Sequence, residues 1–356
     1  MARPLVVTGS DACRSDVQRL VAAAAVEADV VADVAAARRL WADAPIVLVG
    51  DDIACSLVEA RVPRRRGVVL VGHDLDDALV WQRAVELGAD HVIFLPDAEA
   101  WLVGRLADTA QGTPAGTVVG VVGGRGGAGA TTLAVALALT AQRDGHPTFL
   151  LDADPVGGGL DVVLGAEDAT GARWPDVAAV GHRLSAEGIA AAVPLAHGVR
   201  LLSWDRGEHV DLSPGVVSCV LEAARRAASA LVVDLPRANP DVMAEALGVV
   251  DTLLVVTTGE VRAAAATSRI ASLAARYVTD VRLVVRGPCQ TGLSPAMISD
   301  AVALPLAASI RSDRDCAGEL PAGLVTGGRS HLTRAVTRLA RSVFPDARRG
   351  GVPTAA

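Results

Sequence analysis

The chain contains no lysine, because all 33 of its basic residues are arginine. Aromatic residues make up only 3% of its 356 residues, whereas 51% are hydrophobic. Its cores must therefore be built from alanine, valine and leucine. This composition favours layered α/β architecture, and the length leaves room for two domains.

Three further absences exclude whole classes of protein. The five cysteines are scattered without a C-x-x-C pair, which predicts buried thiols in a reducing cytosol rather than disulfides or metal ligands. We see no signal peptide, and no apolar run reaches the roughly 18–20 residues that cross a bilayer, so we expect a cytoplasmic protein. The net charge of −7 argues against a surface that coats DNA.

The segment over 117–139 organises the rest of the chain. It predicts a buried strand over 117–122, a glycine-rich turn over 123–129 and an apolar helix that opens at Thr131. Glycines in this order let backbone N–H groups surround an anion, and the helix N-terminus adds its partial positive charge. Thr131 occupies the position at which such loops place a hydroxyl for Mg²⁺. The alternative is a glycine-rich turn that binds no ligand.

Ala130 occupies the position where phosphate-binding loops carry a lysine. A hydrogen bond to a charged group contributes about 1.5–3 kcal/mol, so its loss weakens nucleotide binding roughly ten- to a hundredfold. Phosphoryl transfer relies on electrostatic stabilisation and suffers more. The loop therefore predicts nucleotide binding with at most weak ATP hydrolysis, and the sequence leaves open whether the chain is an enzyme at all.

The motif R-G-G-A-G-A-T-T, which begins at Arg125, resembles the K-G-G-x-G-K-T-T loop of the MinD/ParA family of deviant-Walker ATPases. In that family the first lysine reaches the partner's phosphates across a dimer, and the second holds the phosphates of its own subunit. Arg125 matches the first lysine and Ala130 the second. A general replacement of lysine by arginine explains position 125 but not position 130. The resemblance implies that the loop residues bind nucleotide: Gly124, Arg125, Gly126, Gly127, Ala128, Gly129, Ala130, Thr131 and Thr132.

Acidic residues follow two further predicted strands. The first strand, over 148–151, ends in D-A-D-P, and the resemblance implies that Asp152 positions the attacking water and that Asp154 is a nucleotide- or dimer-coupled switch. The second, over 230–233, runs into D-L-P-R, where Asp234 matches the Walker B acid that holds Mg²⁺ together with Thr131. An ordinary turn after the strand is the alternative for Asp152 and Asp154. The carboxyl ends of parallel strands are where such sheets bind ligands.

Arg286 ends the predicted strand over 281–285, where the family has an asparagine that reads the adenine base. An arginine lacks the paired donor and acceptor of an amide. The resemblance thus implies a nucleotide contact for Arg286, but the specificity for ATP is open. Arg286 either stacks on a base or faces solvent.

The first 110 residues alternate between strand and helix patterns, five times each, and resemble a receiver domain with a flavodoxin-like sheet. The chemistry of a receiver is absent, because only Asp11 lies near the first strand and Leu95 stands where a lysine belongs. We therefore expect a pseudo-receiver that is not phosphorylated and that serves docking or dimerisation. The third strand ends in V-G-D-D, which places Gly50 or Asp51 at the position of the acceptor, and Asp51 and Asp52 are interpreted as ordinary helix-capping residues.

The predicted organisation is a pseudo-receiver over 1–110, a linker over 111–116, a doubly wound, mostly parallel P-loop domain over 117–345 and a disordered tail over 346–356. The predicted final helix, Leu332–Val343, has one apolar face. It is either a core helix or, as in MinD, an amphipathic helix that touches the inner face of the membrane.

The layout and the D-L-P motif resemble the CpaE/TadZ branch, and most closely actinobacterial CpaE-like proteins termed septum site-determining proteins. This implies a homodimeric scaffold that binds ATP or ADP with Mg²⁺, holds no structural metal, and recruits proteins of the division septum or of a pilus or secretion machine. We do not expect DNA binding. An active ParA/MinD-type ATPase that cycles on membrane or DNA is one alternative, and a structural pseudoenzyme without nucleotide is another.

Overall fold

The computed structural model describes residues 3–65, 67–74, 77, 79–110, 116–180, 184–207, 212, 215–290, 292–311 and 331–344. Contacts within the chain divide it into two compact units, Met1–Thr113 and Pro114–Ala356. The predicted linker, apart from Gly116, and the predicted tail over 346–356 lie outside the described residues.

The first unit is a five-stranded parallel sheet in the order β2-β1-β3-β4-β5. This is the flavodoxin-like order. Its valine-rich strands are covered by helices on both faces, and continuous apolar runs are typical of such buried strands. The elements are β1 Leu5–Val7, α1 Asp11–Ala23, β2 Asp29–Val31, α2 Val34–Leu40, β3 Val47–Gly50, α3 Asp51–Glu59, β4 Val68–Gly72, α4 Leu79–Leu87, β5 His91–Phe94 and α5 Glu99–Ala110.

The second unit is an eight-stranded sheet in the order β13-β12-β11-β6-β10-β7-β9-β8. All its pairings are parallel except that of β8 with β9. The strands are β6 Thr117–Gly123, β7 Thr148–Asp152, β8 Leu195–Ala196, β9 Val199–Leu202, β10 Ala230–Asp234, β11 Thr252–Thr258, β12 Asp280–Arg286 and β13 Leu306–Ile310. The described helices are α6 Ala130–Arg143, α7 Leu160–Val163, α8 Trp174–Val180, α9 Ala186–Ala192, α10 Val216–Ala227, α11 Pro240–Leu247, α12 Val261–Ala274, α13 Pro295–Val302 and α14 His331–Val343.

Helix α6 is the central helix of the second unit, and its residues from Leu133 to Ala141 are all buried. A helix that is apolar all round must be covered on every side. Helix α14 covers part of it, since α14 packs against both α6 and β13. Strands β6, β10 and β7 lie side by side under α6, so their carboxyl ends and the N-terminus of α6 meet at one edge.

The apolar face of α14 is buried, as the core-helix interpretation predicts. Leu332, Val336, Leu339 and Val343 are all less than 9% exposed, and they belong to the same hydrophobic core as α6. The residues that a membrane-binding helix would insert into lipid therefore already have partners inside the protein. Among the described residues, no helix is both long and apolar enough to span a membrane.

Candidate functional site

The glycine-rich turn joins β6 to α6 and leaves several backbone donors without acceptors. Gly127 and Gly129 adopt positive φ values of 73° and 93°, a conformation that residues with a Cβ rarely adopt. Gly129 is the N-cap of α6, which begins at Ala130, one residue before the predicted start. No described residue accepts a hydrogen bond from the N–H groups between Gly129 and Thr132. These four donors are what an anion would bind at a helix N-terminus.

The turn forms one wall of a cavity of about 460 Å³. Every predicted nucleotide-binding residue lines this cavity except Gly124, and so does the predicted Mg²⁺ ligand Asp234. Gly124 instead lies against helix α12, because a Cβ at this position would stand 2.0 Å from the Thr267 hydroxyl oxygen. The remaining lining residues, which we did not predict, are Gly123, Leu235, Arg237 and Ala238. The D-L-P-R motif contains two of them, Leu235 and Arg237.

Asp152 and Asp234 end neighbouring strands in register with each other. Burial raises the pKa of Asp234 to about 7, the charges of Asp152 and Asp154 add to the rise, and a hydrogen bond from Thr131 opposes it. Burial likewise raises the pKa of Asp152 to about 6. Two buried carboxylates whose charge is disfavoured in this way lie where a divalent cation would stabilise the ionised form.

Asp152 does not line the cavity; it organises the segment that follows β7. Its carboxylate accepts hydrogen bonds from the backbone N–H groups of Asp154 and Leu160 at 3.2 and 3.0 Å. Its carbonyl oxygen accepts from the indole N–H groups of both Trp174 and Trp204, whose rings stack with centroids 5.6 Å apart. The water-positioning role of Asp152 stays a prediction, and the visible role of the residue is to fix the backbone beside the cavity.

A second buried carboxylate, Asp161, extends this network. The Ser203 hydroxyl lies 3.3 Å from Asp161 Oδ1 and 3.4 Å from Asp152 Oδ2, and Arg206 Nη1 donates to Asp161 Oδ2 at 2.6 Å. Burial alone would raise the pKa of Asp161, but the hydrogen bonds and charge of Arg206 hold it below its ordinary value. The sequence signalled neither Ser203 nor Arg206, because no motif links them to the acidic residues.

Three arginines lie around the cavity, and each has different contacts. Arg125 Nη1 donates to Glu260 Oε2 at 2.7 Å. Arg286 Nη1 donates to the carbonyl oxygen of Gly127 at 3.2 Å, so this partly exposed side chain contacts the glycine-rich turn. Arg237 is exposed and has no hydrogen-bond or ion-pair partner among the described residues.

These residues fit a nucleotide with Mg²⁺. The unpartnered N–H groups at the start of α6 suit a phosphate chain, and the positive φ of Gly127 and Gly129 produces the turn that aims them. Thr131 and Asp234 both line the cavity, and Thr131 lowers the pKa of Asp234, so these are the residues that would hold Mg²⁺, which would supply charge neutralisation when bound. Among the described residues, no cluster of three or more His, Cys, Asp or Glu side chains could hold a metal ion.

In the first unit, the acidic residue Asp52 at the start of α3 accepts hydrogen bonds from within the unit. Asp52 accepts from the Thr8 hydroxyl at 2.8 Å and from the N–H groups of Gly9 and Ser10 at 2.7 and 3.0 Å. Our interpretation of Asp51 and Asp52 as helix caps is wrong, because Gly50 is the N-cap of α3 and no side chain caps that helix. Asp52 instead ties the start of α3 to the turn after β1.

Two solved structures show which fold the second unit has. A ParA family ATPase from Chlorobium tepidum aligns with a TM-score of 0.57 and 19% identity, covering 64% of this chain and 98% of its own. The septum site-determining protein MinD from Pyrococcus horikoshii, complexed with Mg-ADP, aligns with a TM-score of 0.54 and 19% identity, covering 66% of this chain and 97% of its own. The second unit therefore has the MinD/ParA P-loop fold, as the resemblance of its loop implied.

The particular family follows from the first unit and from a relative that aligns with most of the chain. Residues 7–117 match the family described as the Rv3660c-like, CheY-like N-terminal domain. The protein Rv3660c of Mycobacterium tuberculosis is 37% identical over 318 residues, which cover 88% of this chain and 89% of the relative. The chain belongs to the Rv3660c-like family.

Proposed function

We propose that this chain is a MinD/CpaE-like scaffold that binds ADP or ATP with Mg²⁺ and hydrolyses ATP weakly or not at all. One observation carries the proposal: the unpartnered N–H groups from Gly129 to Thr132 belong to residues that line the same cavity as Asp234. Anion donors and a carboxylate at a strand end are together what a Mg-nucleotide requires.

We expect weak hydrolysis because of the residues next to the N–H groups at the start of α6. Ala130 places a methyl group at the position from which a lysine would contact the transferred phosphate. The carboxylate of Asp152 is only 2% exposed and accepts backbone N–H groups, so a water molecule would have to compete for it. Nucleotide would then act mainly by favouring one conformation or assembly state.

The cellular role that we propose is the placement of a division septum or of a pilus or secretion machine, through a homodimer that recruits protein partners. Its support is analogy: MinD from P. horikoshii is a septum site-determining protein. A MinC:MinD complex from Aquifex aeolicus, which aligns with a TM-score of 0.52 and 18% identity over 67% of this chain and 99% of its own, contains a MinD partner. The CheY-like first unit, with Asp52 engaged internally, is the proposed docking element.

Calorimetric titration of the full chain with ADP and ATP, each with and without Mg²⁺, tests the proposal. We expect saturable binding that Mg²⁺ strengthens. Thr131→Val removes the hydroxyl but keeps the branched shape, and should abolish the Mg²⁺ dependence while Mg²⁺-free binding persists. Thr132→Val is the matched control and should keep the Mg²⁺ dependence.

Two results would contradict the proposal. The first is the absence of heat with either nucleotide at millimolar concentration, which would identify a structural pseudoenzyme. The second is rapid Mg²⁺-dependent release of inorganic phosphate from ATP that Thr131→Val abolishes, which would identify an active ATPase.

A further inference from the structure

Arg286 lies closer to the phosphate-binding turn than its position in the sequence suggests. It ends β12, and β11 separates β12 from the strand that leads into the turn. Its side chain nevertheless reaches across, because Nη1 donates to the Gly127 carbonyl at 3.2 Å. A Cβ built on Gly129 would stand 2.5 Å from the same nitrogen. The guanidinium therefore packs directly on the residue that caps α6.

The contacts of Arg286 leave most of its hydrogen-bonding capacity unused. A guanidinium carries five N–H donors, and one of them bonds to Gly127. No carboxylate pairs with Arg286 in the part of the chain that the structure describes. Arg237, which also lines the cavity, places its Nη2 4.0 Å from the Cβ position of Gly126. Two positive groups thus lie near a turn whose own lysine position is Ala130.

We propose that Arg286, assisted by Arg237, supplies the phosphate-binding charge that is absent at Ala130, so that the ligand of this cavity is recognised through a chain of at least two phosphates. This rests on the proposed function, because it concerns the same cavity. A guanidinium can bind two phosphate oxygens at once through parallel hydrogen bonds. Arg286 stands beside the free N–H groups of α6, where it neutralises a phosphate chain without altering the turn. The position at which the family contacts the adenine base would then contact the phosphates instead.

Replacement of Arg286 in the full chain, followed by calorimetric titration, tests this assignment. The probes are ADP, pyrophosphate and adenosine, all with Mg²⁺. Arg286→Gln keeps most of the side-chain length but removes the charge. It should weaken the binding of ADP and of pyrophosphate about 10- to 100-fold, while the binding of adenosine is unaffected. Arg286→Lys keeps the charge and should stay close to the wild type. Arg276→Gln is the control for loss of one positive charge, because Arg276 is exposed, lies two residues after the end of α12, and has no side-chain partner among the described residues.

A lysine returned to the turn gives an independent test. Ala130→Lys should restore most of the ADP affinity in the Arg286→Gln background and should add much less to the wild type, because the charge is already present there. Thermal unfolding of each variant verifies that the fold is retained.

The outcomes separate this inference from the proposed function. If the wild type binds ADP and Arg286→Gln binds it equally well, the assignment of Arg286 is overturned while nucleotide binding stands. If Arg286→Gln weakens the binding of adenosine as much as the binding of ADP, the residue contacts the base and the assignment is again overturned. If the wild type binds none of the three probes, both proposals fail.

Discussion

Arg125 Nη1 lies 2.7 Å from Glu260 Oε2, so the arginine that matches the family's trans-acting lysine forms an ion pair within its own subunit. Glu260 is the residue before α12, and the side chains of the pair are 44% and 38% exposed. Any contact of Arg125 with a partner's phosphates would compete with this pair for the guanidinium. An exposed ion pair contributes only about 0.2–1 kcal/mol, so breaking this pair has a small free-energy cost.

Glu260→Gln should therefore strengthen self-association in the presence of Mg-ADP. If the pair contributes about 0.5 kcal/mol in each subunit, its removal from both subunits of a symmetric dimer shifts the dimerisation constant about fivefold. Sedimentation velocity over a range of concentrations measures this shift. Glu187→Gln removes the same charge from an exposed position that has no ion pair with any described residue, and should leave the constant unchanged. An equal effect of both variants would mean that net charge, not Arg125, is responsible.

Gly124→Ala should destabilise the second unit by about 1–3 kcal/mol, because overpacking of a tight contact costs that much. The added Cβ would lie 2.0 Å from the hydroxyl oxygen of Thr267, which is itself fully buried. Gly126→Ala is the matched control in the same turn, since the nearest atom to its Cβ position is 4.0 Å away. Urea unfolding of both variants measures the difference. Equal midpoints for the two would show that the turn moves away from α12 without cost.

Arg206→Ala should destabilise the second unit in a pH-dependent way. The folded-state pKa of Asp161 is held below its ordinary value of 3.8, so the contribution of the pair is fully present above about pH 4 and is lost as the pH falls through the lowered pKa. At pH 7 we expect a loss of about 1–2 kcal/mol, less than for a fully buried pair because Arg206 is half-exposed.

Urea unfolding at pH 7 and below pH 4 checks this sign. The difference between wild type and Arg206→Ala should shrink at the lower pH, and Arg276→Ala should show no pH-dependent difference. A constant difference at both values would assign the effect of Arg206 to packing of its aliphatic stem.

Leu339→Ala should cost about 2–4 kcal/mol of unfolding free energy, because Leu339 is only 2% exposed and packs in the core shared with α6. Arg338→Ala, at the exposed neighbouring position, should stay within about 0.5 kcal/mol of the wild type. Sedimentation with anionic lipid vesicles, run in parallel, should be the same for Leu339→Ala and the wild type. If Leu339→Ala lost vesicle binding while its free energy of unfolding stayed unchanged, α14 would have to leave the core and insert into the membrane.

Strands and helices with clear periodicity could be predicted from the sequence. Strands β6, β7 and β10 extend one residue beyond their predicted bounds, and β12 extends one residue beyond them at each end. Runs of valine and leucine that end in glycine or aspartate predict the positions of these strands, because a strand buried on both faces needs continuous apolar residues. Helix α6 begins one residue earlier than predicted, because Gly129 adopts a positive φ and is the N-cap.

The segment over 160–227 was the least predictable part of the second unit. Helices α7, α8 and α9 have four to seven residues each, and β8 has two. Elements this short contain too few turns for an amphipathic period to appear. They are held by tertiary contacts instead, such as the hydrogen bonds from Trp174 and Trp204 to the Asp152 carbonyl.

The sequence by itself determined the glycine-rich turn, the acids at the ends of β7 and β10, and the alternation of strand and helix, because each depends on neighbouring residues. Only the tertiary structure decided which long side chains reach those groups. Arg286 lies 159 positions from Gly127 along the chain, Arg125 lies 135 from Glu260, and Arg206 lies 45 from Asp161. An arginine side chain extends over several bonds and can turn toward any of several neighbours. Its partner is therefore fixed by the packing of strands and helices that no local pattern encodes.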